Sequence, residues 1–441
     1  MSLKIRSLNN ASTLFEKDDD ILLIDPWLLG DLYYKSWSPV KKLEDLSFLE
    51  KVKNVIITHL HEDHWDLDTL KLLKNDVNIY FPDLPMNGVI SRDLKKINLE
   101  GNTIKIGEKF KISENFVGEF IEPLNGLALS NNYIKDYEID ATNIDTGILI
   151  NERKSKTNHL VLCDNSPYDL KRLDRVIEKR PLTTFFYPFN GFAQDYPLCY
   201  QNLSTQEKKE ISYDLSLKRE DFLIHAIKHL RPEYVFPHSS DFLQNGPFSE
   251  VFTEIHPHEF LSRKAYSKRV QSLLDSIGIE SKSDYLEMED QATFRVDKSL
   301  KIDRDIFKSK TCSHKLDIDY PKNSFDKKFE IKDLLEESLK EMFKRTSRYK
   351  LNLSGLEDWV FEININQKET YYLDFELKKL VTKINNKKNI LTLNTNKKIM
   401  LALLNRKMHW NNAQIGSFLS WKRNPDIFCD SLYKSLNFLH L

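Results

Sequence analysis

The sequence predicts an α/β protein: a layered sandwich of short strands and helices, followed by a separate α+β module. Short apolar runs at residues 21–24, 55–57 and 159–163 are bounded by polar or turn residues, which is typical of buried strands. Apolar residues at helical spacing, as in residues 67–73, lie between such runs. Because each sheet must bury its apolar face, strands and helices that alternate in this way pack as layers.

The length and a change in composition divide the chain. Its 441 residues are too many for one ordinary hydrophobic core. After Pro257 the pattern predicts one amphipathic helix over 260–277, then a polar, charge-rich stretch, and then a helix, two or three strands and further helices. We therefore expect a catalytic sandwich domain at 1–258, a helical and polar connecting segment at 259–328, and an α+β module at 329–441.

Composition narrows the class of protein. The 65 basic and 66 acidic residues give a net charge of -1, so there is no electrostatic case for nucleic acid or a membrane as the main partner. The four cysteines, at positions 163, 199, 312 and 429, form no C-x-x-C pair, which favours a reducing compartment over a disulfide framework. No apolar run approaches the roughly 20 residues that span a bilayer. We expect a cytoplasmic protein that acts on a small-molecule substrate, and a homodimer is left open.

The strongest functional pattern is a cluster of three histidines and an aspartate directly after a predicted buried strand. Within residues 58–64, His59 and His61 can point to one metal ion around a tight turn, while Asp63 and His64 point to a second. Imidazole and carboxylate at this density suit zinc, iron or manganese rather than calcium. The alternative, a polar surface loop with chance histidines, is disfavoured by the apolar strand that precedes the cluster.

This H-x-H-x-D-H pattern resembles the metallo-β-lactamase superfamily. The resemblance implies a four-layer αββα sandwich, a later aspartate that bridges two divalent metal ions, and a last histidine ligand at the end of a late strand. Asp164 follows the apolar residues 160–163 and matches the bridging place, and His238 matches the last ligand. Asp63 and Asp164 are then the candidate catalytic residues. A helix N-cap before Pro167 is the alternative role for Asp164.

One histidine that the superfamily usually supplies is missing, because residues 65–158 contain none. Glu138, Asp140 and Asp145 lie in the interval where that ligand is expected. A carboxylate from one of them would make the site richer in oxygen, and hard oxygen donors favour iron or manganese over zinc. The alternative is that these acids only decorate a surface loop.

A closer resemblance, running from about residue 22 to the C-terminus, is to the catalytic half of the CMP-N-acetylneuraminate hydroxylase family. It is carried by several short segments in the same order along the chain, which are residues 25–28 with Gly30, 58–73, 145–146, 189–192, 196–197, 415–416 and 423–426. The family implies O2-dependent hydroxylation of a sugar nucleotide, with electrons from a Rieske cluster. Such a cluster needs two C-x-H pairs, and this chain has only Cys312-Ser313-His314, so the resemblance implies a separate electron-transfer protein.

Aromatic and basic residues near the motifs are candidates for substrate binding, and we single out Trp27, Trp65, Phe189 and Arg423. Arg423 and Trp410 are expected to border the metal cleft, where Arg423 pairs with a substrate phosphate or carboxylate. The alternative ties Arg423 to an internal acid and makes the last module, which is faintly similar to a sterol-carrier-type module, a packing or dimer surface. Two reactions stay open: oxygenation, which we favour, and metal-dependent hydrolysis of an ester, phosphodiester or amide.

Overall fold

A computed structural model describes most of the chain. The described residues are 2–122, 144–164, 170–177, 180–189, 195–239, 242–256, 260, 262–286, 292–296, 301–304, 309–311, 330–384 and 388–441. Glu138, Asp140 and Cys312-Ser313-His314 are not among these residues, so the predictions made for them lie outside the described part of the chain.

The first sheet has eight described strands in the order β18-β17-β1-β2-β3-β6-β7-β8. Strands β1 to β3 form an antiparallel meander, whereas β3, β6, β7 and β8 run parallel. The parallel strands therefore end at the same edge of the sheet. The strands are β1 (Leu3–Asn9), β2 (Ser12–Lys17), β3 (Asp20–Ile24), β6 (Asn54–Ile56), β7 (Asn78–Pro82), β8 (Gly101–Ile104), β17 (Ala292–Val296) and β18 (Lys301–Arg304).

The second sheet has seven described strands in the order β16-β14-β13-β12-β11-β10-β9. Strands β12, β13, β14 and β16 are parallel, so β12 and β14 also end at a common edge. The strands are β9 (Lys109–Lys111), β10 (Phe116–Ile121), β11 (Gly147–Glu152), β12 (Thr157–Val161), β13 (Thr184–Pro188), β14 (Tyr234–His238) and β16 (Lys282–Ser283).

The two sheets pack face to face, with helices on their outer faces. Side chains from both sheets form the central core, where the rings of Phe15 and Phe186 are 6.5 Å apart. Leu70, Ile90 and Leu94 cover the first sheet, and residues of α3, α5 and α7 cover the second. This is the predicted αββα sandwich. The helices are α1 (Leu67–Leu70), α2 (Gly88–Lys96), α3 (Leu170–Ile177), α4 (Asp195–Leu198), α5 (Thr205–Leu230), α6 (Ser249–Ile255) and α7 (Arg263–Ser276).

The segment at 259–328, predicted as a helical and polar connecting segment, contributes elements to both layers of the sandwich where it is described. Helix α7 lies in the core of the second sheet, and β17 pairs antiparallel with β1, from Leu3 opposite Val296 to Arg6 opposite Thr293. Strands β17 and β18 are short and have polar residues at alternate positions, so their sequence resembles that of a charged linker. Two further strand pairs join β15 (Phe242–Gln244) to β4 (Trp37–Pro39) and β19 (Ser309–Thr311) to β5 (Lys41–Leu43).

The C-terminal module, from residue 330 onward, contains a five-stranded sheet in the order β22-β21-β20-β23-β24 with helices packed on it. Its core is continuous with the first part of the chain, because Trp37 and Phe242 lie in the same apolar cluster as Leu335, Phe361 and Leu391 of the module. No described helix is both long and apolar enough to cross a membrane. The elements are α8 (Ile331–Arg348), β20 (Trp359–Ile365), β21 (Glu369–Asp374), β22 (Lys379–Val381), β23 (Asn389–Thr395), α9 (Lys397–Leu404), α10 (Trp410–Ile415), β24 (Ser420–Asn424) and α11 (Asp430–Leu436).

Candidate metal centre

Four parallel strands deliver the candidate ligands to one place. Asp25 directly follows β3, and the cluster at 59–64 follows β6. Asp164 comes three residues after β12 ends, and His238 is the last residue of β14. Because the carboxyl ends of parallel strands meet at the edge of a sheet, ligand sites commonly form there.

The first group of donor atoms contains His59, His61 and Asp164. His59 Nε2 lies 3.0 Å from His61 Nδ1 and 3.2 Å from Asp164 Oδ2. His61 Nδ1 lies 3.3 Å from the same Asp164 oxygen. Asp145 joins this group, with Oδ1 at 3.6 Å from His59 Nε2 and 3.8 Å from His61 Nδ1. The four donors lie within 4.8 Å of one another, a spacing at which a single cation can contact them all.

The second group lies on the other side of Asp164. His64 Nε2 is 3.2 Å from Asp164 Oδ1 and 3.4 Å from Asp63 Oδ2. His238 is fully buried nearby, where its pKa is held well below the usual value by burial and by the neighbouring charges of Arg263 and His64. Each oxygen of Asp164 therefore faces a different group of donors.

Buried nitrogens without hydrogen bonds indicate that these donors fit metal ions. Among the described residues, His64 Nε2 forms no hydrogen bond of normal geometry, although carboxylate oxygens of Asp164 and Asp63 lie 3.2 and 3.4 Å away. Neither ring nitrogen of His238 forms a hydrogen bond of normal geometry within the described chain, although the Ala11 backbone lies close enough to favour the protonated ring. A buried polar atom without a partner is costly, and a metal ion bound to it would remove that cost. Imidazole and carboxylate donors suit zinc, iron or manganese.

Asp25 orients two of the histidines from behind. Its side chain is fully buried and its Oδ2 accepts from Thr58 Oγ1 at 2.8 Å, Cys163 Sγ at 2.9 Å and His64 Nδ1 at 2.9 Å. Thr58 Oγ1 in turn lies 3.0 Å from His59 Nδ1. These bonds occupy the Nδ1 atoms of His59 and His64 and leave both Nε2 atoms for the metals, which is how an outer carboxylate fixes a metal-binding histidine.

Asp63 is held at both of its oxygens. Tyr33 Oη donates to Oδ1 at 2.5 Å, and Asn10 Nδ2 donates to Oδ2 at 2.8 Å. Tyr33, Tyr34 and Lys35 have φ values of 49°, 58° and 65°, so three consecutive residues adopt the left-handed conformation. Each such residue costs roughly 1–3 kcal/mol, and such strain is characteristic of functional sites.

The charges in the cluster perturb one another. Burial alone would raise the pKa of Asp164, but the charges of His64 and His59 outweigh it and hold the pKa well below its usual range. Burial would lower the pKa of His64, yet Asp63, Asp164 and Asp25 raise it well above its usual value. The same negative charges would attract a metal ion, which must compete with protons for the histidine nitrogens.

A cavity of about 550 Å³ opens onto this cluster between the sandwich and the C-terminal module. His61 and Asp145 lie on its wall, and so do Trp65 and Arg423. Burial raises the pKa of Glu62, which also lines the cavity and accepts from Tyr33 N at 3.2 Å. The cavity gives a small molecule access to one side of the first donor group.

Three residues predicted near the substrate lie elsewhere. Trp27, Phe189 and Trp410 are buried in hydrophobic cores, and the described walls of the cavity do not include them. Large aromatic side chains bury so much apolar area that packing is their commoner role. Arg423 does reach the cavity, but its guanidinium is bonded to Asp426 and stacks over Tyr196 at 4.3 Å, so the internal pairing considered as the alternative is present.

The sequence did not single out Asn10, Asn411 or Asn412 as site residues. Asn411 Nδ2 lies 3.0 Å from His61 Nε2, and Asn412 Nδ2 donates to Glu62 Oε1 at 2.5 Å, across 350 residues of sequence in both cases. Asparagine is common in loops and caps, so no local pattern distinguishes these three. The Ile415-Gly416 segment of the hydroxylase resemblance, at the end of α10, was the nearest signal in the sequence.

Comparison with known proteins relates the first part of the chain to a family. Residues 4–157 match the sequence model of the beta-lactamase superfamily domain, and the match contains the cluster at 59–64 and Asp145, whereas Asp164 and His238 lie beyond it. Over these residues the chain is similar to the metallo-β-lactamase superfamily. The predicted fold and the predicted class, a metalloenzyme of this fold, are thereby confirmed, while the metal and the reaction are not identified.

Three curated relatives match different lengths of the chain. A putative Rieske 2Fe-2S iron-sulfur protein of Mycolicibacterium smegmatis is 31% identical over 22% of this chain and 18% of its own length. Ribonuclease J of Synechocystis is 27% identical over 40% of this chain and 27% of its own length. Cytidine monophosphate-N-acetylneuraminic acid hydroxylase of Cricetulus griseus is 22% identical over 57% of this chain and 42% of its own length. The chain thus spans less than half the length of each of these relatives.

Proposed function

We propose that this chain is a dinuclear iron oxygenase that hydroxylates a small polar substrate, with electrons delivered by a separate protein. The observation that carries the two-metal part is the position of Asp164, whose Oδ2 faces His59 and His61 while its Oδ1 faces His64. One carboxylate between two groups of donors is the arrangement that a bridging ligand requires. Asp63 and His238 would complete the second group.

The donor set supports iron. Asp145 lies beside His59 and His61 and belongs to the interval where the superfamily usually supplies another histidine, so Asp145 is a candidate carboxylate for that place. Glu138 and Asp140 stay candidates for the same place. With Asp63, Asp145 and Asp164 the site offers three carboxylates, and oxygen-rich sites favour iron or manganese over zinc.

The relatives support oxygenation. The match to the cytidine monophosphate-N-acetylneuraminic acid hydroxylase covers more of this chain than the match to ribonuclease J, 57% against 40%. Two irons held at this site would supply the O2 chemistry of hydroxylation. In that reaction a substrate C–H bond becomes C–OH, the second oxygen atom of O2 leaves as water, and two electrons and two protons are consumed. The electrons must come from a reduced carrier, and the match to a protein named for a Rieske cluster supports an iron–sulfur protein as that carrier.

The walls of the cavity support a sugar-nucleotide-like substrate. Arg406 and Lys407 are exposed on the cavity wall and can bind an anionic group such as a phosphate. Tyr196 and Phe428 are partly exposed on the same cavity and offer aromatic surface that a base or sugar ring can contact. The C-terminal module covers the site from this side, and it would exclude water from the substrate at the metals.

A metal-dependent hydrolase is the second candidate. It is supported by the match to ribonuclease J and by Asp63, which Tyr33 and Asn10 hold at both oxygens and which could orient a water molecule. Metal ions lower the pKa of bound water and so produce a nucleophile at neutral pH. The carboxylate-rich donor set is the observation that favours the first candidate.

Metal analysis distinguishes the two. We expect protein produced in medium that contains both iron and zinc to hold two irons per chain, because the donor set is rich in oxygen. Elemental analysis by mass spectrometry measures this, and a His59→Ala variant purified in parallel is the control for adventitious metal. Two zincs per chain with no iron would reject the oxygenase and favour the hydrolase.

A further inference from the structure

The three histidines of the cluster do not all take their support from the sandwich. His59 is held by Thr58 and His64 by Asp25, both of which lie just beyond the ends of the strands that deliver the ligands. His61 is different, since its outer nitrogen contacts Asn411, the second residue of α10 in the C-terminal module. The C-terminal module therefore contacts one of the candidate metal ligands directly.

Several contacts position helix α10 for this interaction. Trp410, its first residue, is fully buried and donates from Nε1 to Leu439 O at 2.7 Å. Just before the helix, His409 N donates to Tyr34 Oη at 3.1 Å, next to the Tyr33 that binds Asp63. Asn412 donates to Glu62, which lies between two ligands in sequence. Contacts at His61, Glu62 and Tyr34 together join the module to the ligand-bearing turn.

We propose that Asn411 is a positioning residue of the metal centre, through which the C-terminal module fixes the ring of His61 with Nδ1 turned to the metals. This inference rests on the metal site of the proposed function, but on neither the metal's identity nor the reaction. It assigns to the module a direct role in metal binding, in addition to covering the cavity.

The position of the proton on the His61 ring determines which atom of Asn411 must face it. A metal at Nδ1 needs the lone pair there, so the ring proton lies on Nε2 and must be donated. Asn411 can accept it through Oδ1, because the two ends of the amide exchange places by rotation about the Cβ–Cγ bond and are not distinguished by shape. Without that acceptor the ring can rotate or take the other tautomer, and either change removes a metal donor. Removing an outer-shell partner of this kind typically lowers metal affinity by about 10–100-fold.

Zinc titration against a chromophoric chelator tests the role without reference to activity. We expect the wild type to bind two zinc ions in two steps. In Asn411→Ala the zinc affinity of one of these steps should fall by about 10–100-fold. Asn411→Asp should restore that step, because a carboxylate also accepts from Nε2–H as in carboxylate–histidine pairs. Gln414→Ala is the matched control: this amide lies on the same helix and lines the same cavity, and the structure contains no bond from it to the cluster among the described residues.

The outcomes separate this inference from the proposed function. If Asn411→Ala binds zinc as the wild type does while His59→Ala does not, the positioning role is overturned and the metal site stands. If His59→Ala also binds normally, the metal site itself is wrong. Equal weakening in Asn411→Ala and Asn411→Asp, with thermal melts like that of the wild type, would also overturn the role, since a packing effect is not restored by an acceptor.

Discussion

Replacing Asp164 by asparagine is expected to lower the metal content from two ions per chain to one or none. One of the two carboxylate oxygens becomes an NH2 group, which cannot bind a cation, and the two oxygens of Asp164 face His64 on one side and His59 with His61 on the other. The variant also loses the negative charge that offsets two ions. We expect the affinity of at least one site to fall by more than about 100-fold, beyond the usual effect of an outer-shell change.

Elemental analysis and zinc titration measure this loss. Asp93→Asn is the matched control, because Asp93 lines the same cavity but pairs with Arg92 at 2.8 Å and Lys96 at 2.6 Å rather than with the cluster. Retention of two metals at wild-type affinity in Asp164→Asn would contradict a bridging role. The N-cap role considered for this residue would then be preferred, since asparagine caps helices as well as aspartate does.

Replacing Asp25 by asparagine is expected to weaken both proposed metal sites, although Asp25 is not among the proposed ligands. Its oxygens accept from Thr58 N, Thr58 Oγ1, His64 Nδ1 and Cys163 Sγ, and an amide can accept at only one oxygen. The donors at the other position then face an NH2 group. Asparagine tolerates the left-handed backbone at φ 49°, so the backbone itself adds little strain.

We expect a loss of about 10–100-fold in metal affinity for Asp25→Asn, measured by the same titration. Asp20→Asn is a strict control, because Asp20 is a buried carboxylate at the other end of β3 that accepts from Asn54 and Asn115. It should lower stability without changing metal affinity. Equal affinities in the wild type and Asp25→Asn would show that His64 is oriented by its packing alone.

The parts of the site that the sequence predicts are those that local patterns determine. Because His59, His61, Asp63 and His64 directly follow a buried strand, four donors lie at one sheet edge independently of how the rest of the chain packs. Asp164 and His238 could be proposed because the resemblance to the metallo-β-lactamase superfamily implies a bridging aspartate and a last histidine, and each of the two comes at or just after the end of a strand. The ligand roles of these residues stay predictions that metal binding must test.

The outer contacts could not be predicted because they join distant parts of the chain. Asn411 meets His61 only after the five-stranded sheet and α10 have packed against the sandwich, and nothing in an isolated Asn-Asn pair indicates this. Trp27 and Phe189 were predicted near the substrate from their position by the motifs, but burial of their apolar surface placed them in the core. Strand β17 has so few residues that its pairing with β1 depends on the finished sheet.

Anomalous X-ray scattering from crystals of the metal-loaded protein tests the dinuclear site most directly. We predict two peaks, one bonded to His59 Nε2 and His61 Nδ1 and the other to His64 Nε2, with donor distances of about 2.0–2.4 Å. Asp164 should contribute one oxygen to each peak. A single peak, or two peaks that Asp164 does not join, would contradict the assignment of these residues as a two-metal centre.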